Sequence, residues 1–110
     1  MSWDFITIKK EKQGAKIVVE GVAYEVDGES KMRYLLTINE KSITLEISPP
    51  GPGYDLAGSF IELLGKPEFG PEQEFGGICG EFEEDARLTT IWSLESSAQS
   101  EKVLNYVYAR

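Results

Sequence analysis

Between Ala15 and Ser48 the apolar residues alternate with polar ones, and three successive runs agree in one register. That agreement constrains the fold more than any other feature of the chain. Asp27-Gly28 is a hairpin signal, because a tight turn needs positive φ, which Gly adopts freely and Asp tolerates. A turn centred there sets Ala23 opposite Met32, Gly21 opposite Tyr34, Val19 opposite Leu36 and Ile17 opposite Ile38 on one face. A second turn around Glu40-Lys41 continues the same face, with Ile38 opposite Ile43, Leu36 opposite Leu45 and Tyr34 opposite Ile47. A slip of one residue would turn a whole apolar set outward, so this face is the core face. Gly21 weakens its strand, and either the Tyr34 ring covers the bare backbone or a bulge lies there.

A strand from Trp3 to Lys10 precedes the meander, with a polar turn over Glu11 to Gly14. Both of its faces carry two large apolar residues, so its inward side is open. After Ser48 the run Pro49-Pro50-Gly51-Pro52-Gly53 removes backbone donors and ends the sheet. It predicts a rigid connector, followed by a helix from Asp55 as N-cap to Leu64, with Gly65 and Pro67 as the stop. Leu56, Phe60, Leu63 and Leu64 share one side of that helix. A second hairpin is expected from Gly77 to Glu83 and Arg87 to Leu94, placing Phe82, Gly80 and Ile78 opposite Leu88, Thr90 and Trp92, and Cys79 opposite Ile91. Ser96 and Gln99 are spaced as a capping box for a last helix over Ser97 to Tyr108, with Val103, Tyr106 and Val107 as its apolar stripe. The order β-β-β-β-α-β-β-α describes a single α+β domain, a mainly antiparallel sheet with two helices packed on it.

Composition narrows the chemistry. The 110 residues contain no histidine and one cysteine. Serine-type triads, Cys-His dyads and ordinary zinc sites are therefore excluded, and no enzyme activity, cofactor or metal is expected. Cys79 reads as a small strand residue, since Glu81 and Glu83 beside it oppose a thiolate. The Gly-Pro-Gly run lacks the Gly-Lys-Ser/Thr ending of a phosphate loop. The acids from Glu81 to Asp85 lack calcium-loop spacing and read as a solvated hairpin tip. Trp92 shares a face with Leu88 and reads as a core tryptophan, with ligand stacking as the other reading. A net charge of −8 argues against binding a phosphate backbone. The first residues lack the pattern of a signal peptide and no run is long enough to span a membrane, so a soluble cytoplasmic protein is the expectation.

The negative charge is unevenly placed. Residues 1–48 hold eight acidic and seven basic side chains, whereas residues 62–85 hold eight acidic ones against Lys66 alone. Phe69 and Phe75 interleave with these acids. Glu68, Phe69, Glu72, Glu74, Phe75, Glu81, Glu83, Glu84 and Asp85 are therefore the candidate residues for docking a basic protein partner, with the phenylalanines as anchors inside an acidic rim. The outer face of the meander, with Val18, Val22, Tyr24 and Leu35, is more apolar than a solvated face requires, so either a second layer or a partner covers it. In size, acidity and α+β pattern the chain resembles in general type the small bacterial immunity and inhibitor proteins that neutralise toxins. That resemblance implies a non-enzymatic binding module with an immunity or inhibitor role. Self-association as an assembly subunit is the alternative, and a small-ligand carrier with Trp92 and the tyrosines around a cavity is the third reading.

Overall fold

The computed structural model describes residues 3–48, 50–70 and 87–108. Within them the order is β1 (Trp3–Gln13), β2 (Lys16–Glu25), β3 (Lys31–Ile38), β4 (Ser42–Ser48), α1 (Pro50–Leu64), β5 (Leu88–Ser93) and α2 (Ser97–Tyr108). The strands form one antiparallel sheet in the order β1-β2-β3-β4-β5. This is an α+β fold. The first strand of the expected second hairpin, with Cys79, lies outside the described residues.

The meander has the register that the alternation requires. Ile17, Val19, Gly21 and Ala23 face Ile38, Leu36, Tyr34 and Met32, and Ile38, Leu36 and Tyr34 continue onto Ile43, Leu45 and Ile47 of β4. Its first turn differs in detail. The strands part after Tyr24 and Lys31, the Glu25 N–H donates to the Ser30 carbonyl at 3.0 Å, and the left-handed residue is Asp27, with φ of 65°, rather than Gly28. At Gly21 both expectations hold together. A Cβ there would overlap the Ile6 carbonyl oxygen and come within 2.7 Å of the Tyr34 hydroxyl, so the ring lies over the bare backbone. Opposite it, β1 bulges between Thr7 and Lys9.

The bulge settles which way β1 faces. Trp3, Phe5 and Thr7 point inward, Ile8 is the extra residue, and Ile6 and Ile8 stay exposed. Beyond it the strand runs to Gln13 with charged residues on both faces, further than the polar turn expected at Glu11, because an edge strand can pair on one side and keep its side chains in water. The turn is Gly14-Ala15, with Gly14 at φ of 62°.

The connector reading of Pro50 to Gly53 is corrected: α1 begins at Pro50, and Asp55 is an exposed residue inside the helix rather than its N-cap. The first four N–H groups of a helix have no partner within it, so prolines at 50 and 52 cost no hydrogen bond. Gly53 is buried where the helix crosses β4, and a Cβ there would lie 2.7 Å from Cγ2 of Ile47. The end of α1 is as expected, with Gly65 at φ of 91° and its N–H donating to the Ile61 carbonyl at 2.7 Å.

Both helices lie on the core face. α1 packs on β3, β4 and β5, and α2 packs on α1 and β1. Leu56, Ala57 and Phe60 of α1, and Val103 and Val107 of α2, close the core over Val19, Leu36, Leu45 and Ile47. Edge-to-face rings of Phe5, Tyr34, Phe60 and Tyr106, 5.3–6.1 Å apart, join β1 to the two helices. At the start of α2 the Gln99 Oε1 accepts from the Ser96 N–H at 3.3 Å and from the Glu95 N–H at 2.8 Å, the back-reaching half of the expected capping box.

Candidate functional site

A sheet covered on one side presents its other side to whatever surrounds it. With both helices on the core face, the described residues place nothing over the opposite face. Strand alternation puts Ile6 of β1, Val18, Glu20, Val22 and Tyr24 of β2, and Lys31, Arg33 and Leu35 of β3 on that outer side. Of the two coverings foreseen for it, a second layer made by the helices is ruled out. Ile6 is 49% exposed, Tyr24 is exposed under the Lys31 ammonium, 5.6 Å from its ring centroid, and Val18, Val22 and Leu35 are half-buried.

At the far edge of the sheet, β5 meets the chain that leaves α1. The Glu68 and Phe69 N–H groups both donate to the Ile91 carbonyl, at 2.8 and 3.2 Å, and the Ile91 N–H donates to the Phe69 carbonyl at 2.7 Å. These are the outward groups of Ile91 that the expected hairpin gives to the strand of Cys79. Phe69 thus continues the row that runs through Ile91, Thr44 and Thr37, with its side chain on the outer face. Its ring is 62% exposed although its backbone is held at both groups. Glu68 beside it is exposed, as is Glu62 at the end of α1. Immediately before β5, Arg87 pairs with Glu46 of β4 at 3.6 Å.

Of the candidate residues, Glu68 and Phe69 are therefore placed together at the β5 edge. Glu72, Glu74, Phe75, Glu81, Glu83, Glu84 and Asp85 lie outside the described residues. Trp92 is a core residue, 1% exposed, whose indole N–H donates to the Gly65 carbonyl at 2.9 Å, which ties β5 to the end of α1. Trp3 does the same at the other end of the sheet, donating to the Ser59 hydroxyl at 3.1 Å. Among the described residues the buried Thr90 hydroxyl has no hydrogen-bond partner, and that of Tyr34 has no well-formed one. Burial pushes the Tyr34 phenol up from its ordinary pKa, against the smaller lowering influence of the Thr7 hydroxyl. Tyr106 is raised likewise by burial, with Ser59 lowering and Glu62 raising it further.

A separate open groove of about 710 Å³ lies at the end of the sheet, where Ile17, Ile38 and Leu94 meet the first turn of α2. Among the described residues no group of three or more His, Cys, Asp or Glu is placed to hold a metal ion, and no helix is long and apolar enough to cross a membrane. The chain matches no family model, no curated protein and no solved structure.

Proposed function

We propose that this is a non-enzymatic, cytoplasmic protein-binding module that docks a basic partner along the β5 edge, with inhibition of that partner as its concrete role. The observation that carries this reading is Phe69. A large apolar ring costs roughly 1.5–3 kcal/mol when left in water rather than buried, yet here the backbone is fixed by three hydrogen bonds and the ring is displayed. Fixing the backbone in advance lowers the entropy lost on binding, as an anchor residue requires. The sign of the partner follows from the sequence: residues 62–85 hold eight acidic side chains against Lys66, with Glu62 and Glu68 exposed among the described residues, and acidic charge of that density favours a basic surface, raising association rates by roughly 10–10³ at low salt.

The test uses two variants of the full chain in affinity capture from the native host, followed by kinetics with the captured protein. Phe69→Ala is expected to speed dissociation, at a cost on the order of 2 kcal/mol in affinity. Replacing Glu72, Glu74, Glu81 and Glu83 with Gln is expected to slow association and flatten its salt dependence. A captured partner that binds both variants as it binds the parent chain would remove this reading.

A further inference from the structure

The turn between β2 and β3 holds a residue pair that docking at the β5 edge leaves unexplained. Asp27 and Gly28 form its exposed tip, and Asp27, not the glycine, takes the left-handed conformation with φ of 65°. A residue with a side chain adopts that conformation at a cost, which Asp bears better than most. Among the described residues the Asp27 carboxylate has no ion pair and no hydrogen bond. The Gly28 N–H is held by the Glu25 carbonyl at 3.3 Å, longer than such bonds usually run. We infer that Asp27-Gly28 is a self-modifying site, at which the native chain rearranges to isoaspartate through a cyclic imide.

The chemistry needs water alone. The Gly28 nitrogen attacks Cγ of the protonated Asp27 carboxyl, an N–Cγ bond forms, and the amide proton and the carboxyl hydroxyl leave together as one water. Water then adds back to either carbonyl of the imide. Addition at Cγ breaks the new bond and restores aspartate, whereas addition at the main-chain carbonyl carbon breaks its bond to the Gly28 nitrogen. In that second product, isoaspartate, the chain runs through Cβ and Cγ and has the mass of the parent. Glycine in second place matters, because a side chain there crowds the attacking nitrogen. The other Asp and Asn positions among the described residues lack these conditions. Asp4 is paired with Tyr24 in β1 and precedes the half-buried Phe5, Asp55 precedes the fully buried Leu56 within α1, and Asn105 lies within α2. Asn39 is followed by Glu40, and its amide donates to the Ser42 hydroxyl at 3.4 Å. The fold has room for the product. The added main-chain atom falls beyond the ladder, which ends at Tyr24 and Lys31, so the pairing of Ala23 with Met32 stays as it is. β5 and Phe69 lie at the other edge of the sheet, so this site and the docking of a basic partner stand or fall separately.

The full chain is aged in its native state at mildly acidic to neutral pH, beside a sample unfolded in urea. Tandem mass spectrometry of the tryptic peptide of residues 17–31 reads isoaspartate at residue 27, and methylation by a protein isoaspartyl methyltransferase counts it independently. Isoaspartate is expected to accumulate at residue 27 of the native chain, and not at Asp4 or Asp55. Gly28→Ala is expected to slow it on the order of tenfold or more, because crowding the nitrogen removes the near-attack geometry. That variant keeps the turn, since φ at Gly28 is not left-handed and the nearest neighbours of the new Cβ, at 2.6–2.9 Å, belong to the flexible Glu25 side chain. Asp27→Asn also accepts the left-handed turn, loses ammonia in place of water, and is expected to reach isoaspartate faster than the parent chain. A native chain that stays unmodified at residue 27 overturns the inference, and conversion of the unfolded sample beside it would show that the turn protects the pair. Conversion that Gly28→Ala leaves undiminished overturns it as well.

Discussion

Gly21 and Gly58 undergo the same chemical change to alanine and are expected to respond with opposite signs. At Gly21 the added methyl would overlap the Ile6 carbonyl oxygen and press on the Tyr34 ring, whose hydroxyl and Cε1 lie 2.7 and 2.9 Å from it. The ring could turn aside, but the carbonyl belongs to the backbone of β1 at the bulge, and moving it disturbs the β1–β2 pairing. Overpacking of this kind costs about 1–3 kcal/mol, while alanine recovers about 0.5–1 kcal/mol of strand propensity, leaving a net loss of about 1–2 kcal/mol. Gly58 lies inside α1 with nothing within 4 Å of its Cβ position, so Gly58→Ala is expected to gain about 0.5–1 kcal/mol of helix propensity. Urea melts at constant m-value measure both, and each kcal/mol corresponds to a shift of a few degrees in Tm. Gly21→Ala at or above the stability of the parent chain would refute the close approach of Ile6 and Tyr34.

Leu36→Ala is expected to cost about 2–5 kcal/mol because the side chain is fully buried, whereas Thr37→Ala on the outer face should lose well under that; equal losses in denaturant melts would mean the faces are exchanged. Tyr34→Phe removes a buried hydroxyl that has no well-formed hydrogen bond among the described residues and only a weak influence from Thr7, so stability at neutral pH should stay within about 1 kcal/mol of the parent chain. The same variant bears on pH dependence. Burial raises the Tyr34 pKa in the folded state, so the stability it contributes is complete below the ordinary phenol pKa and is lost as pH rises beyond about 10. Removing the hydroxyl should make the alkaline decline shallower, with Tyr106 sustaining part of it, and an unchanged slope in pH-dependent melts would count against the burial of that phenol.

The sequence carried the meander because two turns and three strands had to agree, and a period of two leaves no neighbouring register that keeps Val19, Leu36 and Leu45 on one side. α2 was legible from its cap and stripe for a similar reason. β1 was not, because its bulge at Ile8 reverses the alternation midway: Phe5 and Thr7 face inward, and so do the positions of Lys10 and Lys12, opposite Val19 and Ile17. The start of α1 was hidden by chemistry that serves two ends. Proline stops a strand and equally opens a helix, and only the accounting of N–H groups in the first turn separates the two outcomes. At the candidate site, the acids and phenylalanines of residues 62–85 stood out by composition. That Phe69 joins the sheet through Ile91 did not, since a single bridge has no periodicity to detect.

Three exposed aromatic rings at well-separated places, two at different strands of the outer face and one on the helical side, allow one experiment to locate the docking site. Phe69 is 62% exposed at the β5 edge, Tyr24 is 36% exposed on the outer face of β2, and Tyr108 is 38% exposed at the end of α2 on the helical side. Hydroxyl-radical labelling of the dilute chain, with and without the basic protein captured from its host, reports the accessibility of each ring. Loss of labelling at Phe69, with Tyr108 unchanged, is the expected result. Protection of Tyr108 while Phe69 remains fully labelled would place the partner on the helices and contradict docking at the β5 edge.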